Sequence, residues 1–336
     1  MRALLALVAI TVGGCGDDGG NRPLPDAPPF DGIDIDGPPL DAPVSGGVLV
    51  VTVSPPGPTN NNPATWGGLV AFTIGSDNGA AMPITGIDRT LVADPVAVIY
   101  RASSQEIFIG ERHGNNSADG VAGSIARFAY SPTSRAFTPS GRITGANITS
   151  GVHDMVIHPA TGELFACNVS TGISRFSFAG NTATPNGMLG DGPCRGVSIS
   201  PNGSTLFMST AGNVIRRFEL ATGTELPATT ASGAPGLHFM AQRQGQLYVA
   251  AIDAAKVYRF QINANNTLSE LAPIDTIANP SALTFSESSQ EMFVGGHRST
   301  PVVGRYRFDL ANDTWIPTTE LPIAASTGGV VMLPIR

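Results

Sequence analysis

The chain has 336 residues and a formal charge of −7, with 19 basic against 26 acidic side chains and 13% charged residues overall. That balance leaves no basic footprint for nucleic acid, a single lysine (Lys256) argues against Schiff-base chemistry, and 40 glycines with 27 prolines suit a turn-rich β protein better than a helical one. Seven of the aspartates fall between Asp17 and Asp41, so the rest of the chain is close to neutral.

Met1 and Arg2 make a minimal positive start, and residues 3–11 (ALLALVAIT) form an apolar stretch far short of the roughly 20 residues that span a bilayer. Val12-Gly13-Gly14-Cys15 follows, and this order of charge, apolar run, small residues and cysteine resembles the bacterial lipobox. The resemblance implies export, acylation of Cys15 and a membrane partner through the lipid anchor. Gly16, where an aspartate would mark inner-membrane retention, leans the expectation toward the outer membrane. An ordinary secretory leader with a chance cysteine is the alternative. Residues 15–47 read as a tether rich in Pro, Asp and Gly that cannot bury enough apolar surface to order itself. Asp31, Asp34, Asp36 and Asp41 within it lack the spacing of a calcium-binding loop.

From residue 48 the chain repeats. Arg127-Phe128, Arg175-Phe176, Arg217-Phe218, Arg259-Phe260 and Arg307-Phe308 each close a short alternating run, the phenylalanines 48, 42, 42 and 48 residues apart, with Phe72 a sixth copy lacking its arginine. Several short strands per period in the forties predict an all-β chain folded as a β-propeller. Each unit offers an innermost strand (95–100, 154–158, 196–200, 238–241, 282–286), then a second strand with a central aromatic (Phe108, Phe165, Phe207, Tyr248, Phe293). The Arg-Phe strand is third and a more polar edge strand fourth. The arginines are expected to lay their stems on apolar surface and bond loop carbonyls or acids. Residues 48–88 lack an innermost strand, and residues 329–335 are an innermost strand with nothing after it. The C-terminal strand is therefore expected to pair with the N-terminal blade and close the ring, which removes exposed edges. This counts six blades: 48–88 with 326–336, then 89–147, 148–190, 191–233, 234–277 and 278–323. A seventh remains open if 89–147 hides a degenerate blade.

Residues 199–208 (ISPNGSTLFM) and 257–268 (VYRFQINANNTL) resemble the lactonase-type propellers, a family that includes 6-phosphogluconolactonase-like proteins and YncE-like surface propellers. The resemblance covers nearly all of 48–336 and implies a propeller, usually of seven blades. It carries no catalytic residue onto this chain.

Innermost-strand starts and second-strand ends share one face of a propeller. That face should collect His153, Asp154, Cys194, Arg195 and His238, together with Glu111, Arg112, His113, Asn168, Thr210, His297 and Arg298. Of these, His153, Asp154, Arg195, His238, Glu111, Arg112 and His297 are the ligand-binding candidates. Carboxylate, imidazole and guanidinium in one mouth could hold an anionic or sugar-like ligand or perform acid–base work on a lactone. His158 belongs to a turn at the other end. No metal or cofactor motif is present. Cys167 and Cys194 are a disulfide pair or two separate thiols. The expected function is a binding or scaffold module for a protein, glycan or small molecule in the cell envelope, with hydrolysis of a sugar lactone as the alternative.

Overall fold

The computed structural model describes residues 47–54, 68–74, 80–82, 87, 91–92, 94–112, 123–145, 148, 150–286, 290–297, 301–323 and 326–334. The leader, Cys15, most of the tether, His113 and Arg298 lie outside the described residues.

Alternating apolar and polar residues build the strands. β1 (Gly47–Ser54), β2 (Gly68–Ile74) and β3 (Ala80–Met82) begin the first blade. The second holds β4 (Pro95–Arg101), β5 (Glu106–Glu111), β6 (Ser124–Tyr130) and β7 (Phe137–Ile143). In the third are β8 (Val152–Ile157), β9 (Leu164–Asn168), β10 (Gly172–Ala179) and β11 (Thr182–Leu189). The fourth has β12 (Gly196–Ile199), β13 (Thr205–Ser209), β14 (Val214–Glu219) and β15 (Glu225–Thr230). β16 (Leu237–Arg243), β17 (Gln246–Ala251), β18 (Lys256–Ile262) and β19 (Leu268–Asp275) make the fifth. The sixth comprises β20 (Pro280–Ser286), β21 (Glu291–Gly296), β22 (Val302–Asp309) and β23 (Thr314–Pro317), with β24 (Leu321–Pro322) added to β22.

β25 (Ser326–Pro334) then returns to pair antiparallel with β1, Val331 opposite Val50, giving the sheet order β25-β1-β2-β3. The first strands touch in a closed circuit, β25 to β4, β8, β12, β16, β20 and back to β25. Six blades form the ring among the described residues. The extra length of the second unit falls in the connection between β5 and β6 rather than in a seventh blade. Two glycines let the closing strand approach its neighbour: a Cβ on Gly328 would meet Pro95 O at 2.6 Å, and one on Gly329 would meet Ala97 Cα at 2.9 Å.

Between the blades lie fully buried aromatics, among them Phe108, Phe128, Phe165, Phe176, Phe207, Phe218, Phe260 and Phe293. Each stabilises the fold by about 1.5–3 kcal/mol through burial. The arginine before the third-strand aromatic sits opposite the second-strand aromatic: Phe108 faces Arg127, Phe165 Arg175, Phe207 Arg217 and Tyr248 Arg259. In the sixth blade the residue in that slot is Arg305, opposite Phe293, and the packed aromatic is Tyr306. Arg307-Phe308 is therefore not the fifth copy. The sequence Arg-Tyr-Arg-Phe contains two overlapping candidates, and pairing selects the first, leaving Arg307 exposed.

These arginines are structural. Arg127 Nη2 donates to Glu106 Oε1 at 2.7 Å, Arg175 binds Glu163 at 2.9 and 3.0 Å, and Arg305 binds Glu291 at 2.7 and 3.0 Å. Arg259 reaches Gln246 Oε1 at 3.1 Å, and Arg217 donates to Pro227 O at 3.2 Å. The acid or amide stands two residues before the aromatic, in Glu106-Ile-Phe, Glu163-Leu-Phe, Gln246-Leu-Tyr and Glu291-Met-Phe. This acid-or-amide spacing is a second repeat, legible in the sequence.

Candidate functional site

Five consecutive blades each send one basic side chain to the same mouth. Arg112 follows β5, His153 sits at the start of β8, Arg195 precedes β12, His238 is in β16 and His297 follows β21. The His153 and His238 rings meet edge to face, centroids 4.6 Å apart, and His297 lies 6.4 Å from His238. The Phe239 ring packs against both, at 5.4 Å from His153 and 5.7 Å from His238. Close approach of the strands here requires glycine: a Cβ on Gly196 would meet His238 O at 2.1 Å.

Both inner imidazoles are neutral, with fixed tautomers. His153, 4% exposed, places Nδ1 3.0 Å from Arg195 O. A carbonyl only accepts, so Nδ1 carries the hydrogen and Nε2 the lone pair. His238 hydrogen-bonds the Ser281 backbone, while its Nδ1 is buried without a partner among the described residues. Burial, then His238, then the charges of Arg195 and Arg112 hold His153 well below the usual imidazole range. Burial first and Arg195 next push His238 down to about 3. The arginines themselves are poorly compensated. Arg112 Nε is 3.8 Å from Asp94 Oδ2, and burial followed by the charge of Arg112 lowers the pKa of Arg195, which has no carboxylate partner among the described residues.

Two of the expected ligand-binding residues point elsewhere. The carboxylate of Glu111 is fully buried within the second blade, bound by Arg142 and Ser124, with Arg142 also donating to Leu91 O at 2.6 Å. Asp154 faces backbone: Oδ1 accepts from Met155 N at 2.8 Å and Oδ2 from Val197 N at 2.9 Å, and Met240 also contributes a backbone bond. A register shift in the β8–β9 pairing between Val152 and Asp154 turns the two neighbours His153 and Asp154 to different surroundings. Burial pushes Asp154 up to about 8 against the pull of those amides. Asn168 Nδ2 bonds Ser174 Oγ at 2.7 Å and Thr210 Oγ1 bonds Val214 O at 3.3 Å, both within their own blades. His158 is a turn residue, with Nε2 2.9 Å from Gly203 O. Cys167 and Cys194 are joined in a disulfide.

Beyond Phe239, on the side away from the imidazoles, a cavity of about 500 Å³ runs along the axis. Ile99, Ile157, Ser200, Gln242, Thr284 and Val331 give it one wall residue from every blade. Phe239 lines this shaft and also touches the imidazoles, so its ring is the floor of the mouth.

Comparison with solved structures locates the fold. A periplasmic gluconolactonase of Pseudomonas aeruginosa superposes with a TM-score of 0.63 at 13% identity, covering 84% of this chain and 84% of that one. A candidate 6-phosphogluconolactonase of Bacteroides fragilis gives 0.61 at 15% identity, covering 86% and 98%. The shared property is the β-propeller fold. No family model and no curated protein matches the sequence.

Chemically, the mouth offers a neutral imidazole with a bare nitrogen, a second imidazole of fixed tautomer and two cationic groups, above an aromatic floor. Among the described residues no cluster of three or more His, Cys, Asp or Glu is placed to hold a metal. Phe239 and Asp94 were not anticipated. Phe239 could have been noticed as an aromatic in an innermost strand beside a histidine; Asp94 lies just before β4 and carries no signal in the repeat.

Proposed function

We propose that this propeller opens a lactone ring at the mouth formed by Arg112, His153, Arg195, His238 and His297. The observation that carries the proposal is the edge-to-face pair of neutral imidazoles, His153 and His238, beside Arg195, which has no carboxylate partner among the described residues. An imidazole of the mouth takes a proton from water as the water oxygen bonds to the lactone carbonyl carbon. The negative charge that develops on the carbonyl oxygen is stabilised by the guanidiniums. Collapse breaks the ring C–O bond, the imidazolium returns the proton to the departing oxygen, and a hydroxy acid results. A nitrogen titrating near 3 is a weak base in the empty site. Burial is the larger cause of that depression; the developing oxyanion offsets the part due to the arginine charges, so basicity rises where the transition state needs it. Structural likeness to a periplasmic gluconolactonase and a candidate 6-phosphogluconolactonase supports the same chemistry.

Binding without turnover is the second reading. It is favoured by the orientation of His153 and His238, which comes from backbone carbonyls rather than from a carboxylate. Both readings share a placement proposed from the leader alone: Cys15 is acylated and residues 16–47 hold the ring off the membrane, toward the outer one. Labelled palmitate entering the wild type and not Cys15→Ala supports that placement; equal labelling of neither rejects it.

The deciding assay is hydrolysis of gluconolactone by the purified chain against the spontaneous rate. Turnover that falls about 100-fold in His238→Gln, at unchanged melting temperature, is expected. A lactone-induced rise in melting temperature without turnover would leave binding as the function.

A further inference from the structure

We propose that the Cys167–Cys194 disulfide is a positioning element of the mouth, fixing the backbone from which Arg195 projects and, through the Arg195 carbonyl, the tautomer of His153. The proposal rests on the mouth being the working site. Cys167 lies in β9 directly opposite Asp154 of β8, next to His153. Cys194 immediately precedes Arg195, and both half-cystines are fully buried. The crossover from the third blade to the fourth runs through Gly190-Asp191-Gly192-Pro193, with Gly190 and Gly192 at φ of 61° and 73°. Such a segment has little intrinsic preference for one path.

Arg195 has reason to leave. It is partly buried, near the like charge of Arg112, and without a carboxylate among the described residues. The segment upstream is tied by Gly172 N to Gly192 O at 2.7 Å and by Arg216 to Asp191 O at 2.6 Å, so relaxation would be local to Arg195, carrying the guanidinium out and withdrawing the carbonyl 3.0 Å from His153 Nδ1. The covalent bond stands one residue from that carbonyl, with Cys194 N also donating to Asn168 O at 3.1 Å and Arg195 N to Ser209 O at 3.0 Å. Three attachments within two residues hold the arginine in an arrangement its electrostatics oppose.

The test replaces the bridge in the full chain, as Cys167→Ala with Cys194→Ala. Should that pair not fold, Cys167→Val with Cys194→Ala refills the lost volume. Trp315→Leu, in the outer part of the sixth blade, serves as a destabilised control remote from the mouth. Imidazole nitrogen shifts report the His153 tautomer, and inorganic phosphate titration reports Arg195. In the bridge variants His153 should become a mixture of tautomers and phosphate affinity should fall about tenfold, the size of one lost charge-assisted contact, while Trp315→Leu changes neither. A folded bridge variant that keeps the wild-type tautomer and phosphate affinity, or a control that loses both equally, overturns the proposal. Failure of the wild type to open lactones would sink the hydrolase and leave the tautomer result standing, so the two outcomes are separable.

Discussion

Arginine occupies two opposite environments in this ring. In the blades, Arg127, Arg175 and Arg305 each meet a glutamate within 3.0 Å and lie over an aromatic ring, at 5.4 Å from Phe108, 5.5 Å from Phe165 and 5.9 Å from Phe293. At the mouth, Arg112 and Arg195 face imidazoles and each other, and among the described residues the one carboxylate paired with either is Asp94, 3.8 Å from Arg112. A buried cation beside its acid holds a fold together. A cation kept away from its acid is available to a ligand. The contrast separates residues that build the propeller from residues that can act on something else.

The largest expected effect breaks the blade side of the contrast. Glu291→Ala leaves Arg305 buried and unpaired, both side chains being 5% exposed or less, and should cost about 3–5 kcal/mol in denaturant unfolding. Arg195→Ala should do the reverse: no loss of melting temperature, and about 100-fold less lactone turnover. A melting temperature that falls as far as in Glu291→Ala would place Arg195 among the structural arginines.

Proton linkage sharpens the comparison further. His238 titrates in the unfolded chain near 6.5 and in the fold near 3, so the unfolded state binds the extra proton. The stability it contributes is full above about 6.5 and is lost as pH falls toward 3. His238→Gln should flatten that acid slope in melting curves. Asp154 has the opposite sign, being raised from 3.8 to about 8: its folded form holds the proton longer, so stability declines as pH rises from about 4 to about 8. Asp154→Asn should remove this decline while lowering the melting temperature throughout, because an amide NH2 cannot accept from the backbone donors that the two carboxyl oxygens serve. The smallest effect is Arg307→Ala, which should stay within about 0.5 kcal/mol; a larger loss would restore Arg307 as the blade arginine in place of Arg305.

The repeat made most of the fold legible. Phe128, Phe176, Phe218 and Phe260 occupy equivalent slots because a fixed period of strands and turns leaves a fixed period of inward aromatics. The missing inner strand of the first blade and the surplus one at 329–335 implied their pairing. Where two copies overlapped, at Arg305-Tyr-Arg-Phe308, spacing alone chose wrongly, since only pairing with Phe293 distinguishes them. Strand-end position was enough to gather Arg112, His153, Arg195, His238 and His297 at one mouth. It could not foresee the register shift that turns Asp154 away, nor that Glu111 would find Arg142, 31 residues along and in the outer strand of the same blade. Both are contacts of local geometry that periodicity does not encode.

Titrating the imidazole nitrogens of the intact chain by NMR tests the mouth most directly, since it needs no substrate. His238 should remain neutral, with Nδ1 unprotonated, from pH 8 down to about pH 4, and begin to titrate only near 3. An ordinary titration near 6.5 would mean that bulk solvent or a carboxylate screens the ring from the arginines, and that the mouth is not the cationic, imidazole-lined site on which the proposed chemistry depends.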